Sequence, residues 1–312
     1  MALLRSAGLL RPFLAVARTG TLSAAARELA VSQPALTKSV QKLEEQVGTP
    51  LFERRARGMA LTPSGNALLA HARMIEAQCR VADGELDSLA RGEAGRIRVG
   101  AGPYWGNTVV PRAIAHLHER MPRLDVNLDV GVNAVIQPRL FAGELDLIVG
   151  GLTDDPGTLP AGIEQRDFYT IHVRVVAGRH HALHRRARVG VPDLARYPWV
   201  FYQHDRDVMV RLSALFQRSR EKPPEIRVET TSLHAVMQLL RTGPYLACIA
   251  DAYLRAAPEP HIAMLPYPRA IWAFPAGVQF HTALRDFAPI RTLLDLIALE
   301  AGVHAPAVRR RK

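Results

Sequence analysis

Ser32, Gln33, Pro34, Thr37, Lys38 and Gln41 lie within ten residues of one another. At helical spacing Gln33, Thr37, Lys38 and Gln41 share one side, leaving Leu36, Val40, Leu43 and Val47 for the other. These side chains offer hydrogen bonds and charge, not nucleophilic or redox chemistry. An amide can pair with an adenine edge or a phosphate, a threonine can meet a phosphate or a thymine methyl, and a lysine can neutralise a phosphate. Arg54, Arg55 and Arg57 follow in the run Leu51–Thr62, which is apolar at its ends and basic near its middle and so predicts a short hairpin. Residues 1–65 hold nine Lys/Arg against four Glu, a charge of +5 out of +11 for the whole 312-residue chain. Such a surplus favours a polyanionic partner, nucleic acid or an anionic membrane surface. The polar helix face also has a plainer reading, as the solvated side of a small helical bundle.

Other chemistry-bearing types are sparse. Cys79 and Cys248 form neither a disulfide framework nor a four-ligand metal site by themselves, and they suit a reducing cytoplasm. His180, His181 and His184 sit among Arg179, Arg185 and Arg186, which predicts a solvated basic loop over a metal site. The chain carries no Gly-rich phosphate loop, zinc-spaced Cys/His set or nucleophile elbow, so catalytic residues, metal and cofactor are all expected to be none. Leu9–Ala17 is broken by Arg11 and does not read as a signal peptide. No apolar run reaches the roughly 18 residues of a membrane span. With 48% hydrophobic and 22% charged residues the chain has ordinary globular composition, and its length predicts at least two domains.

The elements that must carry the polar face come in quick succession. Leu10, Phe13, Leu14 and Ala17 form one helical stripe that Gly20 would stop. Ser23 is expected to cap a second helix through Leu29, with Ala24, Ala25 and Ala26 allowing close packing. Ser32 caps a third, Pro34 is tolerated in its first turn, and Gly48 ends it. This is a helix-turn-helix. The run Ala24-Ala25-Ala26…Leu29…Val31-Ser32-Gln33-Pro34-Ala35-Leu36-Thr37 resembles that of the LysR-type transcriptional regulator family. Val40…Leu43-Glu44…Val47-Gly48…Leu51-Phe52…Arg54…Arg57-Gly58…Leu61-Thr62-Pro63…Gly65 is similar to the rest of that family's DNA-binding unit. The resemblance implies that residues 1–62 are a winged helix-turn-helix. Ser32, Gln33, Pro34, Thr37 and Lys38 would then face the groove, and Arg54 and Arg57 would touch the backbone or minor groove from the wing. Lys38 stands where the family often has arginine, which weakens the case for a bidentate guanine contact there.

Thr62 and Pro63 open a long helix, assigned to residues 63–90. Leu68, Ala72, Ile75, Cys79, Ala82, Leu86 and Leu89 follow at intervals of 4 and 3, a heptad seam. Packing on its own chain is one reading; a dimer seam suits the pattern better and is similar to the family's linker helix. Cys79 then reads as a small buried hydrophobe. A twofold dimer would present two helices to an inverted repeat in double-stranded DNA. The resemblance adds a dimer of dimers, a homotetramer, with RNA polymerase as a further candidate partner.

Residues 91–95 read as a hinge. Beyond them, strands alternate with helices, which predicts a doubly wound sheet. The resemblance implies a two-lobed, periplasmic-binding-protein-like regulatory domain over 96–302, with lobe I about 96–167 and 270–302 and lobe II about 168–269. The basic tail 303–312 follows. The expected fold class is thus α/β overall: a winged helix-turn-helix and linker helix, then a two-lobed α/β domain. Ligands bind open α/β sheets where strands end. Candidate effector residues are therefore Gly102, Tyr104, Trp105, Asn107 and Asn133 in one lobe, and Tyr202, Gln203, His204 and Thr231 in the other. Asn133 could instead cap its helix, and Tyr104-Trp105 departs from the small hydroxyl residues common there in the family. Rings in the cleft would suit a planar or sugar-like effector. The leading expectation is a cytoplasmic DNA-binding regulator that responds to a small molecule. The alternatives are a carrier or enzyme domain with an accessory DNA-binding module, and a constitutive DNA binder whose cleft its own side chains fill.

Overall fold

The computed structural model describes residues 7–55, 58–91 and 95–302. Three helices open the chain: α1 (Ala7–Thr19), α2 (Leu22–Glu28) and α3 (Gln33–Val47). Leu10, Phe13, Leu14, Val16, Leu36, Val40 and Leu43 close into one core with Leu51 and Phe52, and Phe13 packs on Phe52 at 5.3 Å. The cap of α2 is Thr21, not Ser23: Thr21 is extended and its hydroxyl accepts the Ala24 N–H at 3.2 Å, which places Ser23 inside the helix. Ser32 caps α3 as expected, accepting the Ala35 N–H at 3.3 Å. Gly48 closes that helix at φ 76°, a left-handed conformation glycine adopts without a Cβ penalty.

A hairpin of β1 (Phe52–Arg55) and β2 (Gly58–Leu61) follows. Three bonds fix it to the helices. The Glu44 carboxylate accepts the Leu51 and Phe52 N–H groups at 2.7 and 3.1 Å, and the Met59 N–H donates to the Gly20 carbonyl at 2.8 Å. Thr62 then caps α4 (Pro63–Arg91), accepting the Gly65 N–H at 3.0 Å. A Cβ on Gly65 would run into the Leu51 carbonyl, so only glycine lets helix and hairpin approach this closely.

The C-terminal part is one mixed sheet crossed by helices. In chain order its elements are β3 (Arg96–Ala101), α5 (Pro103–Asn107), α6 (Val109–Arg120), β4 (Asp125–Val130), α7 (Asn133–Phe141), β5 (Leu147–Gly151), β6 (Ile163–Gly178), α8 (Val191–Leu194), β7 (Trp199–Tyr202), α9 (Arg206–Arg218), β8 (Ile226–Thr230), α10 (Leu233–Thr242), β9 (Leu246–Ala250), α11 (Asp251–Ala256), β10 (Ile262–Met264), β11 (Trp272–His281) and α12 (Ala288–Glu300). Strand order is β4-β3-β5-β11-β6-β9-β7-β8, with β10 beside β6. Strands β4-β3-β5 are parallel, as are β8-β7-β9, and the antiparallel pair β6 and β11 joins the two groups. Each group has its own core. Trp105, Val109, Leu117, Phe280 and Ile297 belong to the first, and Trp199, Leu212 and Phe216 to the second.

The helix α6 starts after a break at Thr108, whose hydroxyl donates to the Tyr104 carbonyl at 2.7 Å, as the alternating pattern of strands and helices allows. Two expectations change here. The lobe boundary expected at 167/168 falls inside β6, since that 16-residue strand runs through both lobes unbroken. The histidine loop is not simply solvated: His181 is buried against Tyr197, its Nδ1 accepts the Leu183 N–H at 3.2 Å, and burial holds its pKa below the usual imidazole range. Among the described residues no group of three or more His, Cys, Asp or Glu is placed to hold a metal ion, and no helix is long and apolar enough to cross a membrane. The tail 303–312 lies outside the described residues.

Candidate nucleic-acid interface and ligand cleft

Two surfaces could do chemistry, at opposite ends of the chain. The first is the outer face of α3. Gln33, Pro34, Lys38 and Gln41 stand exposed and, with the half-buried Thr37, form one shallow groove. Ser32 is committed to the cap. The Thr37 hydroxyl donates to the Gln33 carbonyl at 2.9 Å, so its lone pairs and methyl group are what it can offer outward. On the wing Arg55 is held by Glu53 at 2.5 Å, whereas Arg54 is exposed with no acidic partner among the described residues. Arg57 lies outside them. The stripe offers hydrogen-bonding groups and the wing positive charge, both exposed.

The helix α4 shares out its apolar stripe. Leu68 and Ala72 are buried in the core of the N-terminal unit, a correction to the expectation that they face a partner. Ile75, Cys79 and Ala82 are exposed, so Cys79 is not buried within the protomer. The side chains of Leu86 and Leu89 lie outside those described. Another face meets the C-terminal part: Gln78 donates to the Ala283 carbonyl at 2.7 Å, and Met74 packs on Gly162.

The second surface is a cleft of about 150 Å³ between the two strand groups. Gly102, Tyr104, Trp105, Asn133, Tyr202 and His204 line it, as the strand-end reasoning expects. Asn107, Gln203 and Thr231 do not. Asn107 is exposed and turns back to the Pro103 carbonyl at 2.7 Å, and Gln203 and Thr231 are exposed beyond the rim. Asn133 does not cap α7; its Nδ2 donates to the Gly151 carbonyl at 2.5 Å and its Oδ1 accepts the Gly151 N–H at 3.2 Å. Trp105 is 2% exposed and stacks on Tyr169 at 5.5 Å, which makes it core more than cleft. Tyr104 bridges the lobes, with its hydroxyl 2.9 Å from that of Tyr169 and its ring packed against the first core and against a second-lobe cluster of Val176, Val200, Val236 and Ile249. Burial, with the Tyr104 hydroxyl, pushes the Tyr169 pKa well up, so Tyr169 stays protonated.

Sequence reasoning missed Asp205, Cys248, Tyr253, Trp272 and Phe274, all in the cleft wall. Trp272 and Phe274 alternate on β11, and that two-residue period was a usable signal. Asp205 immediately precedes an amphipathic helix and caps α9 through the Val208 N–H at 3.3 Å, a signature the sequence also carried. Burial pushes the Asp205 carboxyl up to about 6; the Val208 N–H opposes this and the like charge of Asp207 adds to it. Burial, together with Asp205, pushes the Cys248 thiol up as well, so it remains a neutral wall group.

The sequence matches the family model described as bacterial regulatory helix-turn-helix protein, lysR family, over residues 8–66, and the LysR substrate binding domain over residues 90–301. The transcriptional regulator PcaQ of Agrobacterium fabrum is 29% identical over 94% of each chain. The regulator GbpR of Rhizobium radiobacter is 32% identical over 78% of this chain and 80% of its own. Among solved structures, a full-length OxyR variant of Pseudomonas aeruginosa aligns with TM-score 0.61 and 22% identity over 94% of each chain. CrgA of Neisseria meningitidis aligns with TM-score 0.53 and 19% identity over 95% of this chain and 98% of its own.

Proposed function

The chain belongs to the LysR family of bacterial transcriptional regulators, and on that premise we infer that it acts as a homodimer on an inverted-repeat site, with the state of its cleft setting how its two DNA-reading units are spaced. Its family's activity is DNA binding tuned by a small molecule, which sets aside the reading as a carrier or enzyme domain. The observation that carries the proposal is the exposed groove of Gln33, Pro34, Thr37, Lys38 and Gln41 on α3, beside a wing whose Arg54 is unpaired among the described residues. Gln33, Thr37 and Lys38 are assigned to the groove and Arg54 and Arg57 to the phosphates, with Ser32 and Pro34 setting the helix start. A related fold has been solved as full-length CbnR on its target DNA. A dimer of dimers, contact with RNA polymerase and a cytoplasmic location, where operator DNA lies, complete the proposal.

The link between cleft and DNA is mechanical. Strands β6 and β11 pass from one lobe to the other as a pair, and their lobe I ends abut α4. Gly162, just before β6, packs on Met74, and Ala283, just after β11, receives the Gln78 amide. A change of angle between the lobes twists the pair, and α4 is fastened to its ends.

Two outcomes test the reading. Footprinting on the chain's own upstream intergenic DNA, with and without a metabolite extract, is expected to reveal an inverted repeat whose protection pattern shifts with the extract. On that repeat Thr37→Ala should weaken binding about tenfold or more while leaving random duplex nearly unchanged; equal losses on both would remove Thr37 from base readout. Ile75→Asp combined with Ala82→Asp should shift the sedimenting species to lower mass, because two charges would then enter the exposed part of the seam. An unchanged profile would reject that seam.

A further inference from the structure

The cleft wall is short of free positive charge. Of the helix starts at the cleft, α9 is capped by Asp205 and α10 by the Ser232 hydroxyl, which accepts the Ala235 N–H at 3.2 Å, while the five-residue α5 and the α7 start carry no side-chain cap. Arg211 lies over the Trp272 ring, 4.7 Å from its centre, and Arg255 is held by Asp251 at 2.8 Å. Arg206 lines the rim but is exposed, and the equally exposed Asp207 stands beside it with the opposite charge. The cleft lining includes Asp205, whose carboxylate also accepts the Val208 N–H, together with the rings of Tyr104, Tyr202, Tyr253 and Phe274 and the aliphatic wall of Ile171, Val200 and Ile249.

We propose that the cleft is built for a compact aromatic amine, with its ring against Tyr104, Tyr253 and Phe274 and its protonated nitrogen at the Asp205 carboxylate. This rests on the effector reading above and narrows it to a ligand class. A volume near 150 Å³ is the size that holds one six-membered ring. An ammonium group would offset the buried carboxylate and gain from the aromatic faces around it. A carboxylate ligand would set a second negative charge against Asp205 in a wall of low polarity, where like charges repel strongly.

The test is calorimetric titration of the full chain at pH 7.5 with benzylamine, benzyl alcohol and benzoate, three probes that share a ring and differ in charge. Benzylamine, protonated at that pH, should bind at least tenfold more tightly than the other two. Asp205→Asn keeps a good helix cap and should bring benzylamine down to the level of benzyl alcohol with an unchanged circular dichroism spectrum. The ligand class is overturned if benzoate or benzyl alcohol matches benzylamine, if the variant keeps the preference, or if none of the three binds at millimolar concentration. Those results judge the ligand class alone, because the effector reading fails separately, when the metabolite extract leaves the footprint unmoved.

Discussion

Asp146→Ala is expected to destabilise the C-terminal domain by about 3–5 kcal/mol, a loss comparable with the whole stability of many domains. Asp146 is 6% exposed and accepts the Arg98 backbone N–H at 2.8 Å and the Arg98 guanidinium at 2.9 Å. The same guanidinium donates to the Gly143 carbonyl at 2.8 Å. These bonds pin β3 to the chain entering β5, one residue before the ladder begins at Val99 and Leu147. Removing the carboxylate strands a partly buried cation and removes the side-chain acceptor of the Arg98 N–H. Both are costly because neither group regains full hydration. Urea unfolding followed by circular dichroism should show a much lower midpoint for the domain's transition. Asp146→Asn, which can still accept the N–H bond, should lose less. A wild-type midpoint for the alanine variant would mean that the pair contributes nothing net.

The N-terminal unit was more legible than the cleft for a physical reason. Its signals are local: Ser32 caps within three residues, Gly48 stops the helix it follows, and Leu36, Val40 and Leu43 keep helical period on a single buried face. The error at α2 was also local, since Thr21 and Ser23 are both hydroxyl residues near the start and only the extended backbone at Thr21 selects between them. Strand-end residues carry no such period. That Asn133 turns to Gly151 while Asn107 turns away depends on which neighbouring loop lies within reach, and the tertiary arrangement alone decides that. The heptad spacing on α4 describes one continuous apolar stripe. What the spacing could not show is that Leu68 and Ala72 are taken by the chain's own core while Ile75, Cys79 and Ala82 of the same stripe are exposed. An amphipathic period reports an apolar neighbour and not whose it is.

Asp205→Asn is expected to stabilise the protein at alkaline pH, and progressively less as pH falls from 6 towards 4. Burial lifts this carboxyl from its ordinary 3.8 to about 6 in the folded chain. The folded state therefore holds the proton more tightly than the unfolded one. The residue favours folding most below about pH 4, loses that contribution as pH rises towards 6, and beyond 6 is buried ionised. At 1.36 kcal/mol per pKa unit the cost is on the order of 3 kcal/mol. Asn is close in shape, neutral, and can take over the bond to the Val208 N–H. At pH 8 the variant should melt several degrees higher than wild type, by 2–4 °C for each kcal/mol in a domain of about this size. The gap should shrink steadily as pH falls below 6 and close towards pH 4. His204, Arg206 and Asp207 also line the cleft, and all three are kept in the variant, so a difference that builds between pH 4 and 6 and levels off above belongs to Asp205. Identical melting temperatures at pH 8 and at pH 4 would mean that this carboxylate is well solvated, and the ligand class argued from it would lose its footing. A gain at pH 8 that saturating benzylamine cancels in wild type would instead tie the cost of the buried charge to the cation that offsets it.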